Sequence, residues 1–173
     1  MSSDENFKVK ILASEIDKQI LSSSSNQVNT LRNNLVPKKI EIFVWRALKK
    51  RIPVRLELDK RGIDLHSVRC PICDDDLESV DHALIFYKHV IDVWDRVFRW
   101  WNLGNFSHFS LQEIFGGMAA ANVTPSSFGA KFWQALLWVC AYRIWKNRNK
   151  MVFESKRWNA PVALNEIQVK SFD

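Results

Sequence analysis

The stretch from Cys70 to His89 constrains this chain more than any other part of it. Cys70 and Cys73 are separated by two residues around a short turn, and His82 follows on a predicted helix. Two thiolates and an imidazole are the ligands that Zn²⁺ binds in tetrahedral structural sites. The spacing therefore predicts that Cys70, Cys73 and His82 bind one zinc ion.

The fourth position of this site carries an unsuitable residue. A cysteine at position 87 would complete a Cys-x2-Cys-x8-His-x4-Cys site, but Tyr87 stands there. A phenol has an ordinary pKa of about 10 and is much larger than a thiol, so it is a poor zinc ligand. His89, His66 or a water molecule would have to supply the fourth ligand. We therefore expect zinc binding to be weakened or lost relative to a site with four protein ligands.

Short motifs on both sides of this stretch occur in an order that resembles one family. They are Val36–Ile40, Phe43–Arg46, Arg51–Pro53, Arg61–Ile63, Val93–Trp94, Trp145–Asn149 and Val152–Phe153. Together with the cysteine pair and the histidine, they resemble the zinc-binding domain that lies downstream of the polymerase domain in plant LINE-type (non-LTR) retrotransposon reverse transcriptases. The resemblance covers roughly residues 30–153 and departs from the family pattern at Tyr87.

The resemblance implies an organisation and a role for the chain. Residues 1–29 form an N-terminal helix and a Ser-rich linker, 30–153 the zinc-binding domain, and 154–173 a C-terminal tail. The parent protein is an RNA-directed DNA polymerase, and the implied role is to hold template RNA or target DNA near its polymerase domain. Since one base change separates cysteine and tyrosine codons, Tyr87 also suggests a decayed copy of such an element.

Apolar residues recur at helical spacing along most of the chain, which predicts an all-α fold. The fold class is a small helical domain with an inserted zinc-knuckle-like CxxC…H motif. Cys140, Trp138 and Trp145 are expected in its core. The predicted helices cover about residues 7–21, 38–50, 78–87, 90–101, 111–115 and 126–153. A further predicted helix restarts at Pro53 and is stopped by Gly62.

The formal charge of +6 is unevenly distributed along the chain. Residues 38–69 contain ten Lys and Arg against four acids, and residues 143–157 contain six against Glu154 alone. Between them, residues 70–95 contain seven acids against Lys88. Separate basic blocks favour contact with RNA or DNA, although most charge runs are solvated helix faces. The residues predicted to contact phosphate are Lys38, Lys39, Lys49, Lys50, Arg143, Lys146 and Arg148.

Several functions are not expected from this sequence. It lacks the Tyr-x-Asp-Asp turn that supplies polymerase carboxylates, a Gly-rich phosphate loop and a GxSxG nucleophile motif, so we expect no enzyme activity and no small-molecule substrate. The chain has no apolar run near the ~18 residues that cross a bilayer, and no secretory signal. Three cysteines favour a reducing compartment, nuclear or cytoplasmic. The alternative function is a metal-free helical module that binds protein partners.

Overall fold

A computed structural model describes residues 33–103, 106, 109–115 and 127–154, with side chains from residue 129 onward in the last segment. Across these residues the protein is helical and has no strand, which confirms the all-α prediction. The predicted helix over 7–21, the Ser-rich linker and residues 155–173 lie outside this part. The described elements are α1 (Lys38–Leu48), α2 (Arg55–Asp59), a π-helical turn (His82–Phe86), α3 (Lys88–Trp100), α4 (Leu111–Phe115) and α5 (Ser127–Glu154).

The first two helices follow the sequence prediction with shorter bounds. α1 starts after Pro37, whose φ of −58° suits a helix entry, and its buried residues recur at helical spacing from Ile40 to Ala47. α2 begins two residues after Pro53. Gly62 has a φ of 79°, the left-handed conformation that was predicted to stop this segment. This pair of helices leads the chain into residues 69–77, a hairpin that carries Cys70 and Cys73 and is called the cysteine hairpin below.

The long helix α5 forms the centre of the core. All residues from 135 to 141 are buried, although successive side chains leave a helix in all directions. Such a segment must be covered on every side, and α1, α4 and the π turn all contact α5. The predicted core positions of Cys140, Trp138 and Trp145 are confirmed, because all three are buried.

Helix α3 contacts both the π turn and α5. The indole Nε1 of Trp94 donates a hydrogen bond of 2.9 Å to the carbonyl oxygen of Leu84 in the π turn. On the same helix, Phe98 packs edge-on against Trp133 of α5, with ring centroids 5.4 Å apart. No helix in the described part of the chain is both long and apolar enough to cross a membrane.

Candidate metal centre

The two cysteines of the hairpin lie between α2 and the π turn. Arg69 and Leu77 pair as an isolated antiparallel bridge, and the N–H of Cys70 donates to the carbonyl oxygen of Asp76 at 2.7 Å. At the tip, the N–H of Asp74 donates to the carbonyl oxygen of Cys70 at 2.9 Å, and Asp74 has a φ of 57°. Aspartate adopts this left-handed conformation more readily than most residues. The turn thus returns the chain past Cys70.

His82 opens the π turn that follows the hairpin. The hydroxyl of Ser79 accepts a hydrogen bond of 3.0 Å from the N–H of His82. At the other end, the N–H of Tyr87 donates to the carbonyl oxygen of His82 at 2.9 Å, five residues back instead of the four of an α-helix. The helix predicted over 78–87 is present from 80 to 86, with shorter bounds and with π-helical hydrogen bonding that has no distinct sequence periodicity. The wide turn places His82 and Tyr87 at its two ends.

The structure brings Cys70, Cys73 and His82 together. Their ligand atoms all lie within 4.8 Å of one another, and the Sγ of Cys73 is 3.5 Å from the Nε2 of His82. Zinc bonds of about 2.3 Å to sulfur and about 2.0 Å to nitrogen place two such atoms roughly 3.5 Å apart in a tetrahedral site. The cluster therefore has the chemistry of three zinc ligands, and the Cys73–His82 pair has the spacing of two of them.

The orientation of the His82 ring also fits a metal ligand. Its Nε2 faces the sulfur of Cys73, while its Nδ1 lies 3.8 Å from a carboxylate oxygen of Asp76. The ring is buried, whereas Asp76 is exposed. A carboxylate near the second ring nitrogen favours a proton there and leaves the first nitrogen free to bind a metal.

Tyr87 lies beside this cluster, at the position where a fourth ligand was expected from the sequence. Its side chain is 6% exposed, and its ring centroid is 6.1 Å from that of His82. Burial, and to a smaller extent the charges of Cys70 and Cys73, raise the pKa of Tyr87 to about 12. In the metal-free protein the phenol is therefore neutral at physiological pH.

His66 and His89, the other histidines that the structure describes, lie apart from the ligand cluster. The ring of His89 packs edge-on against that of Tyr87, with centroids 5.3 Å apart. His66 is exposed on the segment before the hairpin. Among the side chains that the structure describes, the cluster of ligand atoms within 4.8 Å contains neither of them. The structure thus gathers three of the four residues that were predicted as metal ligands, and His89 is the one left out.

This geometry is accompanied by a similarity to one known family. Residues 10–94 match the family model described as zinc-binding in reverse transcriptase. The match supports the zinc-binding domain that the sequence motifs indicated, and it includes both cysteines, His82 and position 87. Helices α4 and α5 lie beyond the matched residues. Comparison with curated proteins and with solved structures gives no match.

Sequence reasoning missed the role of Glu78, which is fully buried four residues before His82. Arg148 of α5 donates to its two carboxylate oxygens from Nε and Nη2, at 2.7 Å each. The N–H of Arg55 donates to the same carboxylate at 2.9 Å. Arg148, 5% exposed, is thus an internal counter-ion of the buried Glu78 carboxylate. Its burial contradicts the phosphate contact predicted from its place in a basic tail motif.

The other predicted phosphate-contacting residues remain accessible to a partner. Lys38 and Lys39 lie at the start of α1, and Lys49 and Lys50 directly after its end. All four are exposed, and Lys38 pairs with Glu41 at 2.8 Å. On α5, Lys146 is exposed and Arg143 is half-buried. These positions are compatible with a basic surface, and they leave nucleic-acid contact as a prediction.

Proposed function

We propose that this chain is an accessory zinc-binding domain of a plant LINE-type reverse transcriptase, and that it holds RNA or DNA near the polymerase domain. The observation that carries the proposal is the Cys70, Cys73 and His82 cluster, found within a segment that matches the reverse-transcriptase zinc-binding family. The proposed role is structural and nucleic-acid-binding, and the domain itself performs no catalysis.

Zinc in this proposal joins two local structures. Cys70 and Cys73 belong to the hairpin, whereas His82 belongs to the π turn. A metal ion held by all three would fix the hairpin against the turn, which is the usual contribution of a structural zinc site to folding. With Tyr87 in place of a third thiolate, we expect affinity below that of a site with four protein ligands, with water as the remaining ligand.

Nucleic-acid contact is supported by the distribution of positive charge. Lys39 of α1, Lys49 and Lys50 directly after α1, and Lys146 of α5 are exposed, and α1 and α5 pack together. Cations gathered on a folded surface favour a polyanion such as RNA or DNA. The reducing conditions of the nucleus or cytoplasm, where such a partner is found, also keep Cys70 and Cys73 as thiols.

The test combines zinc content with salt-dependent binding. The protein is dialysed and its zinc measured, and its binding to fluorescein-labelled RNA and DNA oligonucleotides is followed by anisotropy at several salt concentrations. We expect bound zinc that Cys70→Ser removes, and an affinity that falls log-linearly with salt. Absence of binding at low salt, or binding that does not respond to salt, would overturn the nucleic-acid role and favour a protein-interaction module.

A further inference from the structure

An open groove lies between the start of α1 and the middle of α5. Its volume is about 670 Å³, and it shares no residue with the metal cluster. This volume falls in the range of about 300–1,000 Å³ that is usual for sites of small ligands. The groove can therefore receive a short piece of an extended molecule, but it is too small for a folded domain.

The walls and floor of the groove combine apolar and aromatic side chains. Ile40 of α1 and Leu136 and Val139 of α5 are buried beneath it. Phe132 and Tyr142, also of α5, are half-buried and line it with their rings. The ring of Phe43 meets that of Tyr142 edge-on, with centroids 5.4 Å apart. An aromatic side chain supported in this way can stack against a flat ligand without first losing much conformational freedom.

Positive charge lies on both walls of the groove. Lys39 stands on the α1 side, and Arg143 and Lys146 stand one turn apart on the α5 side. Among the described residues that line the groove there is no carboxylate. An anionic ligand thus meets three cations around an apolar floor, and none of the described lining residues is acidic.

We infer that this groove binds a short segment of single-stranded nucleic acid. Phosphates of the strand contact Lys39, Arg143 and Lys146, and a base lies against the ring of Tyr142. This inference rests on the proposed function, and it deepens that function by naming the form of the nucleic acid and the surface that holds it.

The mixture of groups favours a single strand over the other anionic ligands. A duplex keeps the faces of its bases stacked and presents phosphates outward, so it would leave the apolar floor uncovered. A single strand offers phosphates and unstacked base faces together, which is the combination that aromatic and basic grooves bind. An acidic peptide could contact the cations, but its carboxylates do not provide the flat faces that pair with a supported aromatic ring.

The experiment measures the affinity of the whole zinc-loaded protein for a labelled single-stranded RNA and for the duplex of the same sequence. The groove variant is Lys39→Glu with Lys146→Glu, and the matched control is Arg96→Glu with Arg99→Glu on α3, which changes the net charge equally at exposed positions. We expect single-strand affinity to fall at least about tenfold in the groove variant and at most about threefold in the control. Tyr142→Leu should lower it about fivefold or more without changing its salt dependence.

The possible failures are distinguishable. If the unaltered protein binds neither single strand nor duplex, the proposed function fails together with this inference. If the groove variant and the α3 control lose affinity equally, or if the duplex binds as tightly as the single strand, nucleic-acid contact stands and the groove assignment is overturned. A groove variant that binds RNA normally but no longer binds an oligoglutamate peptide would identify an acidic peptide as the ligand. Circular dichroism of each variant checks that it is folded.

Discussion

Arg148 and Glu78, 70 residues apart in the chain, form a buried ion pair through two hydrogen bonds of 2.7 Å each. Glu78 also anchors the base of the cysteine hairpin, because its N–H donates to Val68 at 2.9 Å and its carbonyl accepts from Leu56 at 3.2 Å. The pair thus links α5 to the segment that carries the metal ligands. The folding unit therefore extends past residue 94, where the family match ends.

Replacing Arg148 by methionine is expected to destabilise the protein strongly. The change leaves the Glu78 carboxylate buried without its counter-ion, and removing one partner of a buried pair costs about 3–5 kcal/mol. It also removes the guanidinium that lies 5.0 Å from the ring of Trp145. The free energy of unfolding, measured by urea denaturation, provides the test.

Lys146→Met on the same helix is the matched control for this prediction. Lys146 is exposed, so its replacement should change the free energy of unfolding by no more than about 0.5 kcal/mol. The double variant Glu78→Leu with Arg148→Met should recover part of the lost stability, because no unpaired charge remains. Equal small effects of Arg148→Met and Lys146→Met would show that the pair does not stabilise the fold.

Sequence reasoning correctly placed the residues whose conformation or burial depends on their neighbours in the chain. The turn at Gly62 depends on one backbone conformation, and the burial of Cys140 follows from the apolar helix around it. Arg148 was misplaced because its environment is set by Glu78, far away in the chain, while its sequence neighbours resemble a solvated basic helix. The cluster itself was predictable, since two residues between the cysteines and eight before His82 describe its ligands directly.

Tyr87→Cys is expected to tighten zinc binding. Position 87 lies beside the ligand cluster, and a thiolate there supplies a fourth ligand where the phenol supplies none. Loss of a residue that merely supports a ligand costs about 10–100-fold in metal affinity, so gain of a direct ligand should exceed about 100-fold. Competition against a chromophoric zinc chelator measures the two affinities.

Tyr87→Ser distinguishes the effect of adding a zinc ligand from the effect of removing the bulky tyrosine ring. It removes the buried ring as the cysteine variant does, but its hydroxyl is not a thiolate. We expect its zinc affinity to stay near that of the unaltered protein. If serine and cysteine tighten binding equally, the tyrosine ring acts by obstructing the site, and a missing ligand is not the reason for weak binding.

The three cysteines should differ in their reaction with an alkylating reagent. Cys140 is fully buried and its burial raises the pKa of the thiol, so it should stay unmodified in the native protein. Cys73 is half-buried and should react first, at a rate that increases when a chelator removes zinc. Mass spectrometry of peptides after timed exposure to iodoacetamide gives the order. Fast native modification of Cys140 would contradict its place in the core.

Glu113 is expected to make α4 sensitive to acid. Its carboxylate accepts hydrogen bonds from the N–H and the hydroxyl of Ser110, at 2.6 and 2.7 Å, and these bonds lower the pKa of Glu113. A group whose pKa is lower in the folded state stabilises that state at pH values above its unfolded pKa, about 4.3. This stabilisation is lost as the pH falls through the folded pKa.

The comparison of the unaltered protein with Glu113→Gln isolates this charge from the other acids. Their difference in free energy of unfolding should favour the unaltered protein at neutral pH and vanish in acid, where both side chains are uncharged. Ser110→Ala should bring the pKa of Glu113, followed by NMR of its carboxyl carbon, back up toward its ordinary value. A stability difference that stays constant across the titration would mean that the hydrogen bonds to Ser110 do not depend on the charge.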